Sequence, residues 1–116
     1  MLTTTQSLIQ SVKKNIRCLD VYQAQYEMKS NPALLVDVRE PIEHQKQAPK
    51  GAINIPRGML EFILPQKAPD LDSAIYLHCA MGGRAVLAAE QLHRIGYKNI
   101  TVIDAPVASV CDVFNN

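Results

Sequence analysis

The chain has 116 residues, of which 47% are hydrophobic and 20% charged, and this composition predicts one globular domain spanning residues 1–116. Twelve basic against eleven acidic residues leave a formal net charge of +1, which gives no electrostatic basis for a nucleic acid as partner. No stretch approaches the roughly 20 apolar residues of a membrane span, and the N-terminus lacks the order of a secretory signal, so we expect a cytoplasmic protein without a membrane partner.

The first third of the chain predicts helices alternating with short strands. An extra amphipathic helix is expected over about residues 3–15, packed on its own domain or on a second subunit. After a short extended piece, Asp20 is suited to cap a second helix that ends near Lys29, because the Asn31-Pro32 pair disfavours helical geometry. The apolar run at residues 33–38 predicts a strand buried on both faces, as in a parallel sheet.

The same alternation continues to the end of the chain. A charged helical turn is expected at residues 40–47, a strand at 52–55, a helix at 57–64 stopped by Pro65, and a surface loop up to residue 72. Further strands are expected at 73–78 and 100–103. Between them lies an alanine-rich helix from about 84 to 95, ended by Gly96, and the tail at 106–116 fits one short helix. The order predicts an α/β three-layer sandwich, with a central, mainly parallel sheet and helices on both faces.

The three cysteines, Cys18, Cys79 and Cys111, lie far apart in the sequence. None has a cysteine or histidine at a spacing suited to zinc, so we expect neither a metal nor another cofactor. An odd number of cysteines in a reducing compartment favours free thiols. Cys18 and Cys111 are interpreted as ordinary core cysteines, although a thiol near the end of the chain, such as Cys111, could approach the active site.

Cys79 differs from the other two cysteines in its surroundings. It ends a central strand at the carboxyl edge of the expected sheet, where open α/β sheets place their chemistry. The loop that follows leads into a helix and comprises Ala80, Met81, Gly82, Gly83 and Arg84. Its backbone amides, the positive end of the helix and the Arg84 guanidinium should together favour the thiolate. A cysteine without such context is more often a small buried hydrophobe, but this combination predicts a nucleophile.

Three ordered segments resemble one family. The strand, the Cys-x-x-Gly-x-Arg loop and the helix ending in Leu-x-x-x-Gly resemble the active-site segment of rhodanese-like sulfurtransferases. Upstream, LLVDVREPIEH is similar to the family's Asp-x-Arg-x-x-x-Glu stretch, and KGAINIPRGMLEF to its Gly-Ala-x-Asn-Ile-Pro segment. The resemblance covers roughly residues 16–104 and rests on the combination of the three segments.

The resemblance implies a single-domain sulfurtransferase in which Cys79 is the catalytic residue and carries sulfur as a persulfide. The loop residues then bind the substrate: Ala80, Met81, Gly82, Gly83 and Arg84. The donor would be thiosulfate or a persulfide, including one on a protein, and the acceptor cyanide or a thiol. A ring of backbone N–H donors is suited to the charge on the terminal sulfur.

Two other functions remain open. Tyrosine-type phosphatases, and phosphatases or arsenate reductases on the same fold, place one more residue between cysteine and arginine than the four that separate Cys79 from Arg84. The shorter loop favours sulfur chemistry, because phosphate needs a wider cradle. A non-catalytic module of the family that binds a partner would be expected to lack Cys79 or Arg84, and both are present.

Several other residues are assigned structural roles. His78 should face away from Cys79, because neighbouring strand residues point to opposite faces. Asp37, Arg39 and Glu43 are expected to form an ion-pair network that fixes the loop. Arg57 and Arg94 are taken as surface charges, although Arg57 could border the pocket. The chain departs from the family pattern at residues 47–52, at Ala85, where a hydroxyl residue is common, and at residues 104–106, where the family often has a Gly-Gly turn.

Overall fold

A parallel five-stranded sheet forms the centre of the protein in the computed structural model, which describes residues 2–116. The strands are β1 (Cys18–Leu19), β2 (Leu34–Asp37), β3 (Ile53–Asn54), β4 (Ile75–His78) and β5 (Ile100–Ile103). They lie in the order β1-β5-β4-β2-β3, and every neighbouring pair is parallel. The predicted α/β class is confirmed, and β4 lies at the centre of the sheet.

Within the described residues, six α-helices connect or flank the strands: α1 (Thr5–Lys13), α2 (Val21–Ser30), α3 (Pro41–Lys46), α4 (Leu60–Lys67), α5 (Gly83–Ile95) and α6 (Val107–Phe114). A 3₁₀ turn, Arg57–Met59, leads into α4. The predicted cap of α2 is present, because the Asp20 side chain accepts a hydrogen bond from the Gln23 N–H at 2.8 Å. Gly96 ends α5 with φ of 125°, a conformation that glycine adopts without steric cost.

The two faces of the sheet carry separate hydrophobic cores. Val36, Leu77 and Val102 lie in register and pack on one side with α1, α4 and α5. Leu35, Tyr76 and Ile103 pack on the other side with α2 and α6. Because alternate strand residues point to opposite faces, this arrangement gives the predicted three layers.

The N-terminal helix α1 packs on its own domain, against α5. Its Val12 is buried in the same core as α5, and Thr4 caps it by accepting a hydrogen bond from the Ser7 N–H. Within residues 2–116, none of the helices combines the length and apolar character that crossing a membrane requires.

The prediction that Pro65 stops a helix is wrong, because α4 continues to Lys67 with the proline inside it. Pro65 has no N–H to donate to the carbonyl of Glu61, so the helix loses one hydrogen bond. Leu60, Leu64 and Ala68 lie on one face at intervals of four residues, and all three are buried. Their burial, together with the 2.8 Å bond from the Ala68 N–H to the Leu64 carbonyl, holds the last turn in place.

Candidate active site

Cys79 immediately follows β4 at the carboxyl edge of the sheet, and only 1% of its surface is exposed. Its Sγ accepts hydrogen bonds from the backbone N–H of Gly82 at 3.0 Å and of Ala85 at 3.4 Å. Both donors belong to the start of α5, where backbone N–H groups have no partner inside the helix and the helix dipole is positive. This environment stabilises negative charge on sulfur.

Gly82 gives the loop its shape. It is the N-cap of α5 and has φ of 101°, in the left-handed region that residues with a Cβ rarely adopt. This conformation turns its N–H back toward Cys79. The backbone N–H of Gly82, one of the loop amides expected to surround an anion, therefore contacts the sulfur.

The other predicted loop residues contribute differently. Ala80 is held by its carbonyl, which accepts a hydrogen bond from the Val107 N–H at 2.9 Å. Met81 is 72% exposed at the tip of the loop, and Gly83 is the first residue of α5. Ala85 was not predicted as a site residue. The signal available in the sequence was the helix start itself, since the first N–H groups of any helix need acceptors outside it.

Arg84 does not hydrogen-bond the sulfur; its guanidinium pairs with the carboxylate of Glu43 in α3, at 2.8 and 3.0 Å. The hydrogen bonds from Arg84, assisted by the backbone N–H of Glu40, lower the pKa of Glu43 to about 2. The pair is about one third exposed. It connects the segment after β2 to the first turn of α5.

Asp37 is the centre of the second part of the predicted network. Its fully buried carboxylate accepts hydrogen bonds from the Arg39 side chain, the shortest at 2.7 Å, and lies 2.8 Å from Nδ1 of His44. Burial disfavours the ionised form, but the hydrogen bonds from Arg39 and His44 outweigh it and lower the pKa of Asp37. The network prediction is confirmed for these contacts, and His44 is a member that the sequence did not suggest.

His78 lies on the face of the sheet that carries Asp37, in register with it, as the alternation of strand residues predicted. The ring is fully buried, and neither of its nitrogens has a hydrogen-bond partner among residues 2–116. Oδ1 of Asp37 lies 3.9 Å from Nε2 of the ring. Burial lowers the pKa of His78 to about 4, so the ring is neutral near pH 7.

Asp104 is a further residue beside the loop that sequence reasoning did not assign to the site. A Cβ placed on Gly82 would lie only 2.9 Å from Oδ1 of Asp104, so the carboxylate packs directly against this glycine. Its Oδ2 accepts a hydrogen bond from Nζ of Lys13 in α1 at 2.5 Å. A Cβ placed on Gly83 would lie 2.9 Å from Cδ1 of Ile9, so this side chain of α1 packs against the second glycine of the loop. Such proximity depends on tertiary packing and leaves no local pattern in the sequence.

The remaining thiols and arginines lie apart from these contacts. Cys18 is half-buried in β1, and Cys111 is buried in α6, where burial raises its pKa. Arg94 is exposed, as expected of a surface charge. Arg57 pairs with Glu61 at 2.7 Å, while its backbone N–H bonds the carbonyl of Val38 near the edge of the sheet that carries Cys79.

The fold and the site define a parallel α/β protein with a cysteine held at a helix N-terminus, the arrangement found in cysteine-dependent group transfer. The family model of the rhodanese-like domain matches residues 20–107. The chain therefore belongs to the rhodanese-like domain family, and the resemblance inferred from its motifs is confirmed. Helix α1 lies outside the matched region.

Individual proteins support the assignment. The chain is 27% identical to a Schizosaccharomyces pombe protein assigned as a mitochondrial thiosulfate sulfurtransferase, over 86% of this chain and 81% of that protein. The structure of the polysulfide-sulfur transferase of Wolinella succinogenes superposes with a TM-score of 0.78 at 25% identity, covering 93% of this chain and 82% of that one. A Rhodopseudomonas palustris protein described as a possible tyrosine phosphatase shares the fold, with a TM-score of 0.80, 23% identity, and coverage of 97% and 92%.

Proposed function

We propose that the protein is a sulfurtransferase in which Cys79 takes a sulfane sulfur from a donor, holds it as a persulfide and passes it to an acceptor. The observation that carries the proposal is the pair of backbone N–H donors, from Gly82 and Ala85, that converge on the Cys79 sulfur. Preorganised amide donors stabilise an anion without reorganisation during the reaction. The named activities of the relatives are consistent with this chemistry.

In the first half-reaction, the Cys79 thiolate attacks the outer sulfur of a donor such as thiosulfate. A new S–S bond forms to Cys79, and the S–S bond of the donor breaks, with its electron pair leaving on sulfite. Cys79 is nearly closed off from solvent, whereas Met81, at the tip of the same loop, is exposed. The product is a persulfide anion on Cys79.

In the second half-reaction, a nucleophile such as cyanide or a thiolate attacks the terminal sulfur of the persulfide. The S–S bond to Cys79 breaks, its electron pair returns to the cysteine as thiolate, and thiocyanate or a new persulfide leaves. The two N–H donors that contact the Cys79 sulfur also stabilise this leaving group. We propose the loop residues Ala80, Met81, Gly82, Gly83 and Arg84 as the substrate-binding residues. Arg84 lines the rim of the site in this scheme and stays paired with Glu43, so it supplies no free charge to the donor.

The arrangement of Arg84 favours sulfur transfer over phosphate chemistry. A phosphatase needs its arginine directed at the oxygens of the bound phosphate, whereas the Arg84 guanidinium is engaged by Glu43. A role restricted to partner binding gives no reason for two amide donors to converge on a buried thiol. Persulfide formation separates these possibilities.

The test is intact mass spectrometry of the protein after incubation with thiosulfate. The expected result is a gain of one sulfur atom, about 32 Da, that is mapped to Cys79 and removed by cyanide. Cys79→Ser should gain nothing, and Cys18→Ser, which keeps the loop intact, is the matched control that should still be modified. Failure of the wild-type protein to form a persulfide with thiosulfate, a thiosulfonate and a low-molecular-weight persulfide would reject the proposal.

A further inference from the structure

An ion pair that involves the N-terminal helix borders the loop around Cys79. Gly82 donates its N–H to the Cys79 sulfur and is also the residue against which the Asp104 carboxylate packs. Lys13 of α1 neutralises that carboxylate through a 2.5 Å hydrogen bond. The charge of the Lys13–Asp104 pair therefore changes the electrostatic potential at the loop where a donor must bind.

Three other cations near this edge of the sheet are also paired with carboxylates. Arg84 is paired with Glu43, Arg39 with Asp37 and Arg57 with Glu61. An anion in the loop is then stabilised by backbone N–H groups and by the end of α5, which together act as a fraction of one positive charge. A second negative charge on the same donor would lose its hydration without gaining a counter-charge.

We infer that the Lys13–Asp104 pair sets the charge of the donor that the protein accepts, and that its donors are singly charged organic sulfanes, such as thiosulfonates or small persulfides, in preference to dianionic thiosulfate. Lys13 and Asp104 are positioning residues in this scheme, since they act through the potential at the loop and take no part in bond making. The inference rests on the proposed sulfur transfer by Cys79 and narrows its substrate class.

Charge variants of the pair test the inference. Persulfide formation on Cys79 is timed with thiosulfate and with methanethiosulfonate, which transfers the same kind of sulfur and releases a sulfinate. The second-order rate constant should be larger for methanethiosulfonate in the wild-type protein. Asp104→Asn leaves Lys13 unpaired and should raise the ratio of the thiosulfate to the methanethiosulfonate rate constant by about three- to tenfold, whereas Lys13→Gln leaves the carboxylate unpaired and should lower it by a similar factor.

The double variant Lys13→Gln/Asp104→Asn is the matched control, because it restores a neutral pair and should return the ratio close to the wild-type value. The shifts should also shrink at about 0.5 M KCl, where charges are screened within a few ångströms. A structural role alone would slow both donors together and leave their ratio unchanged. That result, or single variants that both shift the ratio in the same direction, would overturn the inference.

Alkylation of Cys79 provides a readout that does not depend on sulfur transfer. The ratio of the rates with iodoacetate, an anion, and iodoacetamide, a neutral reagent, should rise in Asp104→Asn and fall in Lys13→Gln, with Cys79 followed by peptide mapping. If the wild-type protein takes sulfur from no donor but this ratio shifts as expected, the proposed function fails while the electrostatic role of the pair stands. If sulfur is transferred but neither ratio shifts, the inference fails alone.

Discussion

The carboxylate of Glu43 accepts two hydrogen bonds from the guanidinium of Arg84, at 2.8 and 3.0 Å. Glu43 also accepts a hydrogen bond from the backbone N–H of Glu40, which closes the first turn of α3. One side chain thus ties the start of α3 to the start of α5, the helix whose N–H groups contact Cys79. The pair fixes the loop arginine at the rim of the site instead of at the sulfur.

Acid should weaken the fold partly through this pair. The folded-state pKa of Glu43, about 2, lies below its ordinary value of 4.5, so the pair contributes stability above pH 4.5 and loses it as the pH falls toward 2. Because the pair is partly exposed, we expect a contribution of no more than about 1 kcal/mol. Urea unfolding at a series of pH values should show a shallower acid slope for Glu43→Gln, and likewise for Arg84→Gln. An unchanged slope in both variants would contradict the role of the pair.

His78 should produce a separate pH effect at higher pH. Its folded-state pKa, about 4, lies below its ordinary value of 6.5. Between pH 4 and pH 6.5 the unfolded chain therefore binds a proton at this ring, whereas the folded chain does not. Stability should therefore fall as the pH drops from 6.5 to 4, by at most about 3 kcal/mol. His78→Leu should remove this slope and cost little at pH 7, since the ring leaves both nitrogens unpaired. If His78→Leu were substantially unfolded at pH 7, the ring would have to make a stabilising hydrogen bond, and the prediction would be wrong.

The two buried cysteines, Cys79 and Cys111, should differ in their importance for activity. Cys79→Ser should abolish sulfur transfer to cyanide while keeping the fold, because serine is nearly isosteric but its hydroxyl is not ionised at neutral pH. Cys111→Ser should retain most activity, since its sulfur is buried in α6 and burial raises its pKa. Thiocyanate release and circular dichroism of each variant are the measurements. A large loss in a folded Cys111→Ser would instead make that thiol a relay.

The spacing of the loop should be tuned for sulfur. One residue inserted between Gly82 and Gly83 would lengthen the segment between Cys79 and Ala85 and displace the Ala85 N–H from the sulfur. Losing such a donor should slow sulfur transfer at least about a hundredfold. The unmodified protein should not hydrolyse an aryl phosphate, whereas the lengthened loop should gain weak turnover. Assays of both proteins with thiosulfate and with an aryl phosphate measure the effect. Robust phosphatase activity in the unmodified protein would reverse the proposal.

The sequence by itself determined the class of fold and the place of Cys79 in it. The Asp20 cap, the strand β5 and the helix ended by Gly96 all depend on neighbours close in the chain, and each was predicted where the structure has it. The same is true of Cys79 at the end of β4, because strand, glycine-containing loop and helix start follow one another directly. Local patterns are sufficient where the deciding contacts are local.

Only the tertiary structure decided which charges meet at the site. Arg84 was expected to add positive charge near Cys79 and either attract the donor or help seat the loop. Its partner, Glu43, lies 41 residues away in the sequence and could not be inferred from spacing. Asp104 reaches Gly82 and Lys13 through the pairing of β5 with β1 and the packing of α1 on α5. Pro65 stays within α4 because buried side chains on one face outweigh one lost hydrogen bond. In each case the outcome depends on contacts with residues that are distant in the chain. Such contacts cannot be predicted from the spacing of residues in the sequence.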